Sequence, residues 1–132
     1  MTGSFKDVIR ELTRTLATEE NFDVIRRDLI IGERPAALFF MDAFIKDETF
    51  EKIFEFLYKI TPKEIKSIKT MEEFSLVKMP YVEVGTAKTV DEIVTAVLSG
   101  QTALIVEGVD DALLVDIRTY PTRSIDEPDK DR

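Results

Sequence analysis

The side chains with most chemistry to offer in this chain are carboxylates and guanidiniums, because it contains no cysteine and no histidine. That excludes thiolate nucleophiles, disulfides, zinc centres of the usual kind and every Ser-His or Cys-His catalytic arrangement. Among the acids, Asp42 stands out. It follows the apolar run 36–41 and precedes a helical pattern, the place where α/β proteins often put a ligand-binding carboxylate. Asp47 and Asp116 could approach it, and three carboxylates would suit Mg²⁺. The plainer reading, which the sequence favours, has Asp42 and Asp47 capping the following helix and Asp116 paired with an arginine. No phosphate-cradling glycine loop accompanies these acids. Glu107, Asp110 and Asp111 form a second acidic knot, but it lacks the spacing of a calcium loop, and Gly-x-Asp-Asp between two strands is ordinary hairpin chemistry. No metal, cofactor or catalytic residue is expected.

Arg118, Tyr120 and Arg123 form a different constellation. Two guanidiniums and an aromatic ring fall in one short segment without regular structure, and Pro121 pushes Tyr120 into an extended conformation. Arginines suit bidentate pairing with carboxylate or phosphate. In this segment they either neutralise the domain's own acid and pin an exit strand, or they contact another domain or subunit. They are the sequence's best candidates for an interface.

These residues must be positioned by a folded frame. With 132 residues and 44% hydrophobic content the chain can build one real core. Its 26 acids outweigh 18 bases, a net charge of -8 that repels phosphate backbones and argues against nucleic-acid binding. The adjacent Arg26 and Arg27 point to opposite faces of a strand and make no patch. The longest apolar runs, 36–41 and 102–106, fall far short of the ~20 residues that span a bilayer. A soluble domain without a membrane span of its own is therefore expected.

Ser/Thr-x-x-Asp/Glu patterns mark four helix starts: Ser4 with Asp7, Thr61 with Glu64, Thr70 with Glu73, and Thr89 with Glu92. A fifth helix, about 47–59, presents Phe50, Ile53, Phe54, Leu57 and Tyr58 on one apolar face. Strands are expected at 24–31, 36–41, 82–84, 102–107 and 112–117, with hairpin turns at 32–35 and 108–111. The predicted order is α-ββ-ααα-β-α-ββ. It implies an α/β (α+β) fold with a mixed sheet of about five strands, helices packed on it, and right-handed crossovers where strands run parallel. The domain is expected to occupy 1–121. Residues 122–132 are polar and charged, and read as a linker or tail toward a missing second subdomain.

The run Ser99-Gly100-Gln101-Thr102-Ala103-Leu104-Ile105-Val106-Glu107-Gly108, with Leu113 to Ser124 and its Arg118-Thr119-Tyr120-Pro121 core, resembles the spore germination protein family of the GerA type. The segment Ala37 to Asp47 is similar to that family's first strand-to-helix junction, although Ala43 stands where the family usually has Gly. Pro80-Tyr81-Val82-Glu83-Val84 and the Arg-Thr-Tyr-Pro form lean toward its stage V sporulation AF branch. The resemblance implies the first part of a soluble N-terminal region in a longer inner-spore-membrane protein, facing the spore core. It implies a non-catalytic role in germinant response and ion release. The implied partners are a second soluble subdomain and membrane helices of the same protein, and other germination subunits in a homo- or hetero-oligomer. The alternative reading is a small-molecule module, with Asp42, Arg118 and Tyr120 lining a pocket for an amino-acid or sugar germinant. More remote is a Mg²⁺-dependent enzyme on Asp42, Asp47 and Asp116.

Overall fold

Local capping chemistry sets where several helices begin in the computed structural model of the chain, which describes residues 4–18, 24–41, 47–78 and 83–116. Ser4 Oγ accepts from the Asp7 amide at 3.2 Å and opens α1 (Phe5–Thr18). Thr61 and Glu64 form a complete capping box at α3 (Pro62–Lys66), as do Thr89 and Glu92 at α5 (Val90–Leu98). Each box satisfies two amides that the helix itself leaves unpaired. Gly100, at φ 102°, lets the chain leave α5 for β4 (Thr102–Val106).

The first hairpin joins β1 (Val24–Ile31) to β2 (Arg34–Met41) through Gly32 and Glu33, whose φ values of 54° and 69° make the two-residue turn that matches strand twist. The turn is shorter than the sequence suggests, and Pro35 lies inside β2, opposite Ile30. Its missing N–H is tolerated because ladder bonds to β1 alternate along the strand, so its nitrogen faces away from β1. Its carbonyl faces β4 and accepts from the Glu107 amide at 3.0 Å.

The remaining elements are α2 (Asp47–Tyr58), α4 (Met71–Lys78), β3 (Glu83–Ala87) and β5 (Ala112–Asp116). The element order is the predicted one. The sheet runs β1-β2-β4-β5-β3, and every neighbouring pair is antiparallel. The parallel relationship allowed for in the sequence reading survives only at one remove. β3 and β4 run the same way with α5 between them in the chain, and β5 fills the slot that separates them, a split βαβ arrangement.

The central strands are apolar at every position over 36–41, 103–106 and 112–115, which requires cover on both faces. Leu38, Phe40, Leu104 and Leu113 pack with α2, α3 and α4 on one side. Ala37, Phe39, Ala103 and Ile105 pack with α1 and α5 on the other. Phe39 and Leu104 are buried to within 2% of full burial, each side chain contributing about 1.5–3 kcal/mol. The edge strands β1 and β3 carry the polar residues.

On the α2 side a line of rings runs outward from the core. Phe40 meets Phe50 edge-on at 4.7 Å, Phe50 meets Phe54 at 4.8 Å, and Phe54 stacks on Tyr58 at 5.9 Å. Tyr58, expected on the buried face, is 59% exposed at the outer end of this line. Its phenol is better hydrated than buried without a partner.

Candidate functional site

Antiparallel pairing decides which sequence-predicted residues can share a site. β2 and β5 run in the same direction with β4 between them, so their last residues, Met41 and Asp116, finish at the same end of the sheet. Two strand spacings separate them, ~10 Å. The chain positions of Asp42 and Arg118 lie one and two residues beyond those ends. Asp42, Arg118, Tyr120 and Arg123 themselves lie outside the described residues. Asp47 is the first residue of α2, with its side chain likewise outside the description. The rule that placed Asp42 at a ligand site belongs to parallel sheets, and this sheet has no parallel neighbours.

Asp116 is half-buried and stands opposite Glu83 of the edge strand β3. Among the described residues, no group of three or more acids is placed to hold a metal ion. At the same end of the sheet, the Thr102 hydroxyl is buried without a hydrogen-bond partner among the described residues.

The second acidic knot comes apart in three dimensions. Glu107 is exposed, and its carbonyl accepts from Arg34 Nη1 at 3.1 Å. Asp110 donates its amide to the Lys69 carbonyl at 3.2 Å. Asp111 alone turns inward, where at 6% exposure its Oδ1 accepts from the Met71 amide at 2.6 Å, the first residue of α4. The knot therefore ties the β4–β5 hairpin to the α3–α4 connection. The sequence marks Thr70 and Glu73 at that helix start, and Glu73 does take the Lys69 and Thr70 amides. Nothing in the local sequence signals a cap reaching back from a residue 40 positions away.

The two adjacent arginines separate as expected, one to each face. Arg27 lies over the Phe54 ring at 4.6 Å, a cation–π contact on the α2 side. Arg26 lies on the α1 side, holding Asp28 through Nε at 2.8 Å and Nη2 at 3.1 Å and donating to Thr13 Oγ1 at 3.2 Å. Beside it runs an open groove of about 760 Å³ between α1 and the first hairpin. Lys6, Arg10 and Arg14 line it from α1, one turn apart, and Arg26 lines it from β1.

The family model described as Bacillus/Clostridium GerA spore germination protein matches residues 10–132. The chain belongs to this family. A stretch of 50 residues is 46% identical to stage V sporulation protein AF of Bacillus subtilis (strain 168), covering 38% of this chain and 10% of that protein. The crystal structure of the N-terminal domain of the A subunit of the Bacillus megaterium spore germinant receptor GerK3 superposes with a TM-score of 0.63 at 18% identity. The superposition covers 87% of this chain and 93% of that one, and shows a shared fold. The resemblance carried by the Arg-Thr-Tyr-Pro run thus agrees with the family match, which includes that run. No helix among the described residues is long and apolar enough to cross a membrane.

Proposed function

We propose that this chain is a soluble, non-catalytic interaction and signal-coupling domain of a spore-membrane germination protein, working in germinant response and ion release. The carrying observation is that the polar side chains brought together by the fold are committed to holding it: Asp111 caps α4, Arg34 clasps the second hairpin, and Arg26 ties Asp28 and Thr13. Membership in the germination family points the same way. In this reading the full-length protein sits in the inner spore membrane with this domain facing the core. In the same reading Arg118, Tyr120 and Arg123, with Asp42 and Asp47, meet a second soluble subdomain or a neighbouring subunit. Residues 122–132 link the domain at 1–121 to that subdomain.

The test substitutes Arg118→Ala and Arg123→Ala in the full-length protein and measures assembly and spore germination. The expected outcome is impaired assembly or germination, with the melting temperature of the 132-residue chain unchanged. Normal germination by both variants would remove the interface role.

A second reading takes support from the shared exit of β2 and β5. Asp42 and Arg118 follow those strand ends by one and two residues in the chain, and a carboxylate with a guanidinium suits the amine and carboxylate of an amino acid. A thermal-shift screen of amino acids and sugars separates the readings, because a ligand at 100 times its Kd stabilises by ~2.7 kcal/mol. A flat screen leaves the interaction reading alone.

A further inference from the structure

β1 is an open edge. Its hairpin register pairs it with β2 alone, and among the described residues no strand lies on its other side. Ile31 and Arg34 close the two-residue turn as a hydrogen-bonded pair, so bonding alternates back along the strand. Val24, Arg26, Asp28 and Ile30 therefore turn their N–H and C=O groups away from β2, toward the place of a sixth strand. An eight-residue edge with Ile25 36% and Ile30 58% exposed is a template for strand addition.

Charge decides what can add there. On a chain of net charge -8, the groove along this edge is lined by Lys6, Arg10, Arg14 and Arg26 against a single acid, Asp28. The first three are exposed and stand on one side of α1 at i, i+4 and i+8. Arg10 also contacts Asp7 at 3.2 Å, and both groups are largely exposed, so that pair leaves most of the positive field in place. A second copy of the chain fits poorly. Two-fold antiparallel pairing through β1 keeps both α1 helices on one face of the sheet, and so brings the two Lys6–Arg10–Arg14 rows toward each other across the seam.

We propose that the β1 edge and the α1 groove together dock an extended acidic segment of a partner protein as a sixth strand. Its acids would alternate onto the α1 face to meet the Lys6–Arg10–Arg14 row. Aliphatic side chains would alternate onto the other face, beside Ile25. The charges in the middle of β1 keep the edge from pairing with itself and select a negative partner. This deepens the interaction reading by naming a surface and a partner chemistry. Its test measures binding by the chain itself, so it can fail or succeed whatever the Arg118 and Arg123 variants do in spores.

The probe is a fluorescein-labelled peptide of about ten residues alternating Glu and Val, titrated against the 132-residue chain by anisotropy, with a Lys–Val peptide as control. Binding of the Glu–Val peptide that weakens with salt is expected, with none by the Lys–Val peptide. New hydrogen-exchange protection is expected at the Val24, Arg26, Asp28 and Ile30 amides, and not at Ile25, Arg27 or Leu29, which already face β2. Lys6→Glu with Arg14→Glu, both exposed and outside the core, should cost about tenfold in affinity while the melting temperature holds. Absent or sign-blind peptide binding, or protection at other amides, would overturn the proposal. So would dimerisation through β1 in sedimentation, or binding to phosphatidylglycerol vesicles in place of the peptide.

Discussion

Asp111→Ala is the substitution that most directly tests how the β4–β5 hairpin is tied to the start of α4. Asp111 is 6% exposed and accepts from the Met71 amide at 2.6 Å, and Met71 is itself fully buried at the start of α4. Truncation removes a helix cap, which is worth about 0.5–2 kcal/mol. It also leaves a buried donor without a partner, at about 1–3 kcal/mol. These figures describe the same lost bond from two sides, so they overlap rather than add, and ~2 kcal/mol is the expected loss. Unfolding entropy of about 2.1 cal/mol/K per residue over 132 residues gives ~0.28 kcal/mol per degree, so the melting temperature should fall by ~7 °C. Asp111→Asn keeps an acceptor oxygen and gives up only the charge at the helix start, worth about 0.3–1 kcal/mol, or ~1–4 °C. Thermal unfolding followed by circular dichroism reads both, and hydrogen exchange should show α4 opening first in the Ala variant. An Ala variant within ~0.5 kcal/mol of the parent, or an Asn variant as damaged as the Ala one, would refute the argument that the accepted hydrogen bond holds α4 in place.

Two glycines should respond in opposite directions. Gly85 lies in the edge strand β3 with nothing near an added Cβ, so Gly85→Ala should stabilise by about 0.5–1 kcal/mol in urea unfolding. At Gly32, φ is +54° and an added Cβ would stand 2.8 Å from Ile65 Cγ2 and 2.9 Å from the Thr61 carbonyl oxygen, so Gly32→Ala should destabilise by about 1–3 kcal/mol. Thr102→Val keeps the shape of a buried residue while removing a hydroxyl without a partner. It should raise stability by ~1 kcal/mol in the same assay, and a loss of that size would show that the hydroxyl is hydrogen-bonded. The Glu92 carboxyl is held below its ordinary value of 4.5, first by the Lys88 amide; desolvation is the next largest effect and opposes the shift, and the Thr89 amide, the Thr89 hydroxyl and the Lys88 charge lower it further. A depressed folded-state value means stability that is present above the ordinary Glu value and lost as pH falls through the folded one. Glu92→Gln should therefore be less stable than the parent near neutrality, with the gap closing in melts taken at increasingly acid pH.

What the sequence alone could decide follows from how far each interaction reaches along the chain. The boxes at Thr61–Glu64 and Thr89–Glu92 close within one turn, so helix starts are legible from residue types three apart. Apolar residues at every position of 36–40 and 103–106 announce strands covered on both faces, and that cover is what α1 and α5, and α2 to α4, supply. The cysteine-free, histidine-free composition and the Arg118-Thr119-Tyr120-Pro121 run are also properties of the chain as written, and with them the limits on chemistry and the family resemblance. Tertiary structure decided the rest. Only strand pairing brings the ends of β2 and β5 together, breaks the 107–111 acids into one inward cap and two outward residues, and leaves β1 as an open edge. The basic groove is the clearest case. The sequence reading does not single out Lys6, Arg10 and Arg14, and takes Arg26 as half of a pair split across a strand; folding lays α1 beside β1 and brings all four to one groove. Pairing over long sequence separations is set by how the whole core packs, and no local pattern of residues encodes it.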